Sequence, residues 1–217
     1  MEVFDRKYER GGITMAYSDS PGPPGQTFVL VHGIGMGRVV YSKVAEVLVT
    51  RGRVLSVDLP GFGDSPEPGS TTSLEISAEV IADFVRDVAG EPVVLVGHSM
   101  GTQIVAETAY RHPDLVSKLV LIAPTVNRHE RTALKQAARM VQDLVGEGPR
   151  VLFIGLWEYM KTSPRWFIEK LRFMLRHKIE EIWVKSFCVV YEIVVIPSRF
   201  TAGYAAIAAG CSLSSFS

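Results

Sequence analysis

The N-terminal part of the chain contains four short apolar runs, and each is followed by glycine, proline or serine. The runs begin the segments TFVLVHG (27–33), RVLSVDLPGFGDSPEP (53–68), PVVLVGHS (92–99) and KLVLIAP (118–124). They are rich in Val and Leu, so they predict strands covered on both faces of a parallel sheet. A weakly alternating stretch, GITMAYSDS (12–20), predicts an edge strand.

Helical spacing fills the intervals between these runs. The helical segments are YSKVAEVLVTRG (41–52), SLEISAEVIADFVRDVAG (73–90) and MGTQIVAETAYRHP (100–113). Val44 and Val47 share one predicted apolar stripe of the first helix with Leu48, and Ser73 is placed to cap the second. This alternation predicts an α/β fold, with a mostly parallel central sheet and helices on both faces.

The pattern changes twice after the last of these strands. Residues 126–181 are helical in pattern and predict an inserted cap on a core formed by residues 1–125. Residues 182–217 form an atypical tail that holds three of the 46 charged residues, Lys185, Glu192 and Arg199. Within it, 187–196 could form a strand, but no pattern explains residues 197–217, so we expect the C-terminal strands of the sheet to be incomplete.

The composition of the chain argues against several classes of protein, including nucleic-acid-binding and membrane-spanning proteins. The chain has 217 residues, of which 47% are hydrophobic, with 23 acidic and 23 basic residues, so we expect one globular domain and no nucleic-acid partner. The charged N-terminus predicts no signal peptide, and no apolar run is long enough to span a bilayer. Cys188 and Cys211 form neither a disulfide framework nor a metal site. We therefore expect a cytoplasmic setting, no metal and no cofactor.

The segment Gly97-His98-Ser99-Met100-Gly101 matches G-x-S-x-G between a predicted strand and a predicted helix. A sharp strand-to-helix turn strains the central serine and leaves no room for side chains two residues away on either side. The hydroxyl then stands clear of the sheet, near a helix N-terminus that favours negative charge. This context predicts Ser99 as a nucleophile. The alternative is a capping serine in a glycine-lined turn.

An oxyanion hole needs two N–H donors. Met100, directly after the serine, can supply one, and Ile34 in the loop HGIGMG (32–37) can supply the other. Glycines such as Gly33 let this backbone approach a ligand closely. A phosphate-binding loop or a plain turn is the alternative, but the loop has no lysine and does not fit G-x-G-x-x-G.

Taken together, VHGIGMG, VDLPGFGDSPEP and VVLVGHSMGTQIVAETAYRHPDLVSKLVLIAP resemble the α/β-hydrolase superfamily over about residues 12–181. The chain is similar to single-domain esterases, lipases and haloperoxidase-like members with a helical lid. The resemblance implies that Ser99 is the nucleophile, that residues 126–181 form a lid, and that the DLPGFGDSP loop shapes the site without doing chemistry. A serine at this position argues against haloalkane dehalogenases and epoxide hydrolases, which use an aspartate.

The rest of the expected triad is missing from the pattern. In this family an acid and then a histidine follow the serine, but His112, His129 and His177 do not follow a late core strand. We expect His112 to be a C-cap or surface residue at a helix end, and His129 and His177 to be solvated. No Asp or Glu follows Glu192, which leaves Glu130 as a remote candidate for the acid. We expect His98 to pack beside its strand and His32 to hold the shape of the oxyanion loop.

Two explanations for the missing triad stay open: an out-of-frame or truncated tail from about residue 182, or a relative without catalysis. We expect a serine hydrolase lineage acting on small-molecule carboxylic esters or related acyl compounds. Apolar lid residues favour an apolar acyl group, although they could simply pack the lid on the core: Phe153, Leu156, Trp157, Trp166 and Phe167. The alternatives are a non-catalytic small-molecule-binding protein and a different reaction, such as cofactor-free peroxidation or C–C bond hydrolysis.

Overall fold

The computed structural model describes residues 2–70, 72–124 and 161–177, together with the backbone of residues 193–196. Within these residues seven strands form one sheet in the order β1-β2-β4-β3-β5-β6-β7. The strands are β1 (Phe4–Arg10), β2 (Ile13–Ser20), β3 (Gln26–Val31), β4 (Gly52–Val57), β5 (Val93–His98), β6 (Val116–Ile122) and β7 (Ile193–Ile196). Strands β4, β3, β5, β6 and β7 run parallel, which confirms the predicted α/β class.

The N-terminal side of the sheet is antiparallel and corrects one prediction. Strand β2 is not an edge strand, because it pairs with β1 on one side and with β4 on the other. The edge is β1, whose sequence FDRKYER has one buried residue, Tyr8. Charged side chains along an exposed edge discourage pairing with other chains. At the other side of the described sheet, β7 pairs with β6 and lies inside the segment 187–196, which the sequence left open as a strand.

The described residues contain four α-helices, all in predicted segments: α1 (Ser42–Leu48), α2 (Leu74–Phe84), α3 (Met100–Arg111) and α4 (Pro164–Arg176). A 3₁₀ turn (Arg38–Tyr41) precedes α1, a π-helical turn (Val85–Ala89) extends α2, and a 3₁₀ turn (Pro113–Leu115) leads into β6. Ser73 caps α2 as predicted, because its side chain accepts a hydrogen bond from the N–H of Ile76 at 3.3 Å. The apolar stripe predicted for α1 is wrong for Val44 and Val47, which are 37% and 64% exposed, whereas Leu48 packs against the core beside the buried Ala45.

The core has two parts, one on each face of the sheet. On one face, alternate strand residues such as Val29 and Leu95 pack with α2, α3 and α4. On the other face, Leu30 and Val96 pack with α1 and the 3₁₀ turn before it. Because β4 lies on one side of β3 and β5 on the other, the chain reverses its winding at β3 and β5. Ligand sites of parallel sheets lie in the crevice at such a point, outside the carboxyl ends of the strands.

Helix α4 belongs to the predicted cap and lies on the first of these core parts. Its buried face has Trp166, Lys170 and Met174 at helical spacing. Burial lowers the pKa of Lys170 to about 8. The ammonium nitrogen donates to Thr72 and lies 4.8 Å from the centroid of the Trp166 ring. The buried amine is therefore held by the Thr72 oxygens and an aromatic face, and the Glu169 carboxylate partly opposes the effect of burial on its pKa.

The helical patterns predicted between residues 126 and 160 lie outside the described residues, as does most of the tail. In the described part of the chain, no helix has the length and apolar character needed to cross a membrane.

Candidate functional site

Ser99 occupies a strained turn between β5 and α3. Its φ is 53° and its ψ is −121°, a conformation that glycine adopts far more readily than serine. Ala123, just after β6, is the other described non-glycine residue with positive φ. The Ser99 N–H donates to the Ile122 carbonyl at 3.0 Å, which holds the turn against the neighbouring strand. Strain of about 1–3 kcal/mol persists only where surrounding contacts enforce it, and it is concentrated at functional sites.

Three glycines make this turn possible by close backbone contact. A Cβ on Gly97 would lie 2.6 Å from the Gly101 carbonyl oxygen, and a Cβ on Gly101 would lie 2.2 Å from the Val31 carbonyl oxygen. A Cβ on Gly33 would lie 2.8 Å from the Cβ of Ser99. Strand β3, strand β5 and helix α3 therefore meet with no space for a side chain. The geometry brings together the three glycines predicted from the sequence.

The two predicted oxyanion donors lie on either side of this contact. Ile34 follows Gly33, and Met100 is the first residue of α3. Neither N–H donates a hydrogen bond within the described residues. The first N–H groups of a helix have no partner inside the helix, and they carry the positive end of its dipole. Both N–H groups therefore stay candidates for the predicted oxyanion donors.

The loop carrying Ile34 is held at its start by His32. The His32 side chain is fully buried, and its Nε2 accepts a hydrogen bond from the Leu59 N–H at 2.9 Å. Nε2 therefore has no proton, so the ring proton is on Nδ1 and is donated to the Gly33 carbonyl at 2.7 Å. This agrees with the expectation that His32 shapes the loop.

His98, just before the nucleophile, points to the sheet face opposite Gly97, as strand alternation requires. Burial, with a smaller effect from His32, lowers the pKa of His98 to about 4. Its Nδ1 is buried and has no hydrogen-bond partner within the described residues. His98 is therefore neutral near pH 7 and packs beside its strand, as expected.

The other described histidines contact carboxylates instead of Ser99. His112 lies 2.8 Å from Glu79, at the C-terminal end of α3. The expectation of a solvated His177 is wrong: its side chain is 6% exposed and its Nε2 lies 3.4 Å from Glu107. His129 lies outside the described residues, as does Glu130. Within the described part of the chain, no hydrogen bond joins the Ser99 hydroxyl to a histidine.

Helix α4 contacts the loop that follows β4, residues 58–67. The indole N–H of Trp166 donates to the Pro60 carbonyl at 3.2 Å, and a Cβ on Gly61 would lie 2.1 Å from that indole nitrogen. Lys161 lies 3.3 Å from Asp64, and the N–H of Ser163 donates to Glu67 at 3.3 Å. Of the apolar lid residues, Trp166 is buried in the core and Phe167 packs against it. Phe153, Leu156 and Trp157 lie outside the described residues.

Two further residues at this site were missed by the sequence reasoning. Arg38 follows the oxyanion loop, and Asp58, 1% exposed, follows β4. They form an ion pair through Nη1 and Oδ2. Val31 pairs with Val57 in the β3–β4 register, so the residues after the two strands share one sheet edge. That register is the signal from which their proximity could have been expected.

The family model for the alpha/beta hydrolase fold matches residues 26–158, which include the glycine loop and the serine turn. The chain belongs to the α/β-hydrolase fold family.

Curated relatives match the N-terminal part of the chain. The pimeloyl-[acyl-carrier protein] methyl ester esterase of Vibrio cholerae is 39% identical over 111 residues, which cover 51% of this chain and 42% of the relative. The uncharacterized hydrolase YugF of Bacillus subtilis is 31% identical over 118 residues, which cover 54% of this chain and 43% of the relative. The aligned part of the chain thus spans less than half the length of these relatives.

Solved structures resemble the chain over a longer span. A hydrolase from Pseudomonas aeruginosa has a TM-score of 0.72 at 14% identity, covering 94% of this chain and 97% of that one. An E-2-(acetamidomethylene)succinate hydrolase has a TM-score of 0.70 at 19% identity, covering 96% and 98%. At these identities the likeness shows the shared fold.

Proposed function

We propose that the protein is a serine hydrolase that cleaves carboxylic esters or related acyl compounds, with Ser99 as nucleophile. The observation that carries the proposal is the Ser99 turn: a strained serine at the start of α3, packed against Gly33. The N–H groups of Ile34 and Met100, next in sequence to Gly33 and Ser99, donate no hydrogen bond within the described residues. Acyl transfer requires a nucleophile and oxyanion donors, and these features support Ser99, Ile34 and Met100 in those roles.

In the proposed reaction, the Ser99 Oγ attacks the ester carbonyl carbon and its proton passes to a base. The negative charge that develops on the carbonyl oxygen is stabilised by the N–H groups of Ile34 and Met100. Collapse of the tetrahedral intermediate releases the alcohol, which takes up the proton, and leaves the acyl group on Ser99. Water then attacks this acyl ester, releasing the carboxylic acid and restoring the serine.

The substrate class rests on the relatives and on the sequence of the lid. Two relatives, from Vibrio cholerae and Aeromonas hydrophila, are named methyl ester esterases, which supports an ester as substrate. Phe153, Leu156 and Trp157 in the lid sequence support an apolar acyl group. Trp166 and Phe167 support it less, since both pack on the core.

A fluorophosphonate probe tests the nucleophile directly, because an activated serine displaces its fluoride and becomes phosphonylated. We expect intact-protein mass spectrometry to show one adduct, mapped to Ser99, and none in Ser99→Ala. Ser163→Ala, which removes a serine at another helix start, is the matched control and should label like the parent. Absence of labelling in folded parent protein would overturn the proposal.

A non-catalytic small-molecule-binding protein is the second candidate. It is favoured by one observation: within the described residues, the Ser99 hydroxyl has no histidine partner to accept its proton. Loss of the base lowers the rate by roughly 10⁴- to 10⁶-fold. Saturable binding of p-nitrophenyl butyrate without release of nitrophenol would favour this candidate. Release of nitrophenol that stops in Ser99→Ala would favour the hydrolase.

A further inference from the structure

The oxyanion loop is attached at both ends to two consecutive residues after β4. At its start, His32 accepts the Leu59 N–H. At its end, the backbone N–H of Arg38 donates to the Asp58 carboxylate at 2.5 Å. Between these anchors lie five residues, three of them glycine, and their internal backbone bond is long, at 3.4 Å from Met36 to Gly33. The two anchors therefore add to the packing of Gly33 against Ser99 and of the buried Ile34 side chain in setting the position of the Ile34 N–H.

Asp58 connects this loop to the loop that follows β4. Its Oδ2 accepts the Asp64 N–H at 2.9 Å and pairs with the Arg38 guanidinium. Its backbone N–H donates to the Ala16 carbonyl at 2.8 Å, which fixes it to β2. A Cβ on Gly63 would lie 2.4 Å from the Asp58 carboxyl carbon, so the loop folds tightly over the carboxylate.

Arg38 is held in place by groups from two other directions. Its Nε donates to the Ser18 hydroxyl at 2.9 Å, and Nη1 lies 3.0 Å from an Asp64 carboxylate oxygen. Burial opposes its charge, but the carboxylates of Asp58, Asp64 and Asp5 raise the pKa of Arg38 above its ordinary value. The Arg38 side chain is 15% exposed, so the pair with Asp58 is largely shielded from water.

We propose that Asp58 is a positioning residue for the reaction, which holds the Ile34 N–H in place beside Ser99 by fixing Arg38. The inference rests on the proposed function, because it concerns the oxyanion donor of that site. Removal of one oxyanion donor lowers kcat by roughly 10²- to 10³-fold, and a displaced donor costs part of that.

The chain contains a matched control for this pair. Asp19 and Arg53 also form a two-point ion pair, partly buried, with contacts of 2.9 and 2.8 Å. Asp19 lies near the end of β2 and Arg53 near the start of β4, so this pair lies at the end of β4 opposite Asp58. Loss of either pair should lower stability, but only loss of the first should displace the oxyanion loop.

The experiment compares Asp58→Asn and Arg38→Gln with Asp19→Asn and Arg53→Gln. Amide hydrogen exchange of Met36 and Arg38, whose N–H groups are hydrogen-bonded, reports the loop, and kcat and KM for p-nitrophenyl butyrate report the reaction. For the Asp58 and Arg38 variants we expect exchange in the loop to rise at least about 10-fold. We expect kcat to fall roughly 10- to 100-fold while KM changes less than about threefold. The control variants should change neither readout.

The outcomes separate this inference from the proposed function. Exchange and kcat that change equally in both pairs, at equal loss of thermal stability, would overturn the inference. If the parent protein neither labels nor turns over, the proposed function fails, and exchange alone then decides whether Asp58 holds the loop. If Asp58→Asn does not fold, Arg38→Lys replaces it: a single amine should restore part of the kcat lost in Arg38→Gln.

Discussion

Three described helices begin after a serine. Two of these serines cap their helices, and the third does not. Ser73 and Ser163 have extended backbones, with φ of −69° and −65°, and their hydroxyls each accept an N–H of the first helical turn at 3.3 Å. Ser99 has a φ of 53° and makes no capping hydrogen bond. The alternative interpretation of Ser99 as a capping serine is therefore wrong.

The difference in φ between the capping serines and Ser99 shows that backbone conformation decides which groups a serine hydroxyl can reach. An extended backbone aims the hydroxyl at the helix end, where it satisfies N–H groups and stabilises the helix. The strained backbone of Ser99 turns its hydroxyl away from that position, so that it accepts no N–H of the first turn of α3 within the described residues. The hydroxyl is thereby made available to a ligand at the expense of a helix cap.

The contact that enforces the strained turn gives the largest expected effect. Gly101→Ala would push a methyl group against the Val31 carbonyl oxygen, so we expect a loss of about 3 kcal/mol or more in the free energy of unfolding. Gly69→Ala is the control, because a Cβ there meets nothing within 4 Å. It should change stability by less than about 0.5 kcal/mol. Urea unfolding measures both, and equal stability of the two variants would show that the contact does not constrain the turn.

His98, the residue before Ser99, makes the stability of this turn depend on pH. The folded state lowers the pKa of His98 to about 4, so protonation favours the unfolded chain. The stability that neutral His98 contributes is complete above its pKa in the unfolded chain, about 6.5. This stability is lost as the pH falls from there towards 4. We expect His98→Asn to remove on the order of 2 kcal/mol of this acid-dependent loss, after allowance for partial exposure. Parallel pH–stability curves for parent and variant would contradict it.

The smallest effects come from the serines themselves. Ser73→Ala and Ser163→Ala should each lower the free energy of unfolding by about 1 kcal/mol, because a cap is lost. Ser99→Gly should raise it by about 1 kcal/mol, because glycine relieves the strain. Thermal unfolding measures all three. Destabilisation by Ser99→Gly of the same size as by Ser73→Ala would mean that Ser99 supports its helix after all.

Much of the fold was predictable because the buried strands and the helix start at Ser73 carry local signals. Strand β1 was missed, since FDRKYER has one buried residue and shows no apolar face. It is a strand because it pairs with β2, from Phe4 opposite Asp19 to Arg10 opposite Ile13. Strand pairing depends on two segments, so it cannot be predicted from the sequence of either segment alone.

The same limit applies to the candidate site. Ser99, Ile34 and Met100 could be proposed from the sequence because the G-x-S-x-G turn and the glycine loop are local patterns. Arg38 and Asp58 were not, because only the alignment of β3 with β4 brings them together. The burial of His177 against Glu107 likewise depends on where α4 packs, which its own sequence does not specify.

The loop of residues 58–67 has a consequence for protein engineering. On one side it holds Arg38 through Asp58, and on the other it contacts Trp166, Lys161 and Ser163 at the start of α4. A helix transplanted into the place of α4 from another family member would therefore not be an independent module. A working chimera must exchange this loop together with α4, with glycine kept at position 61 wherever the incoming helix carries a tryptophan at its start.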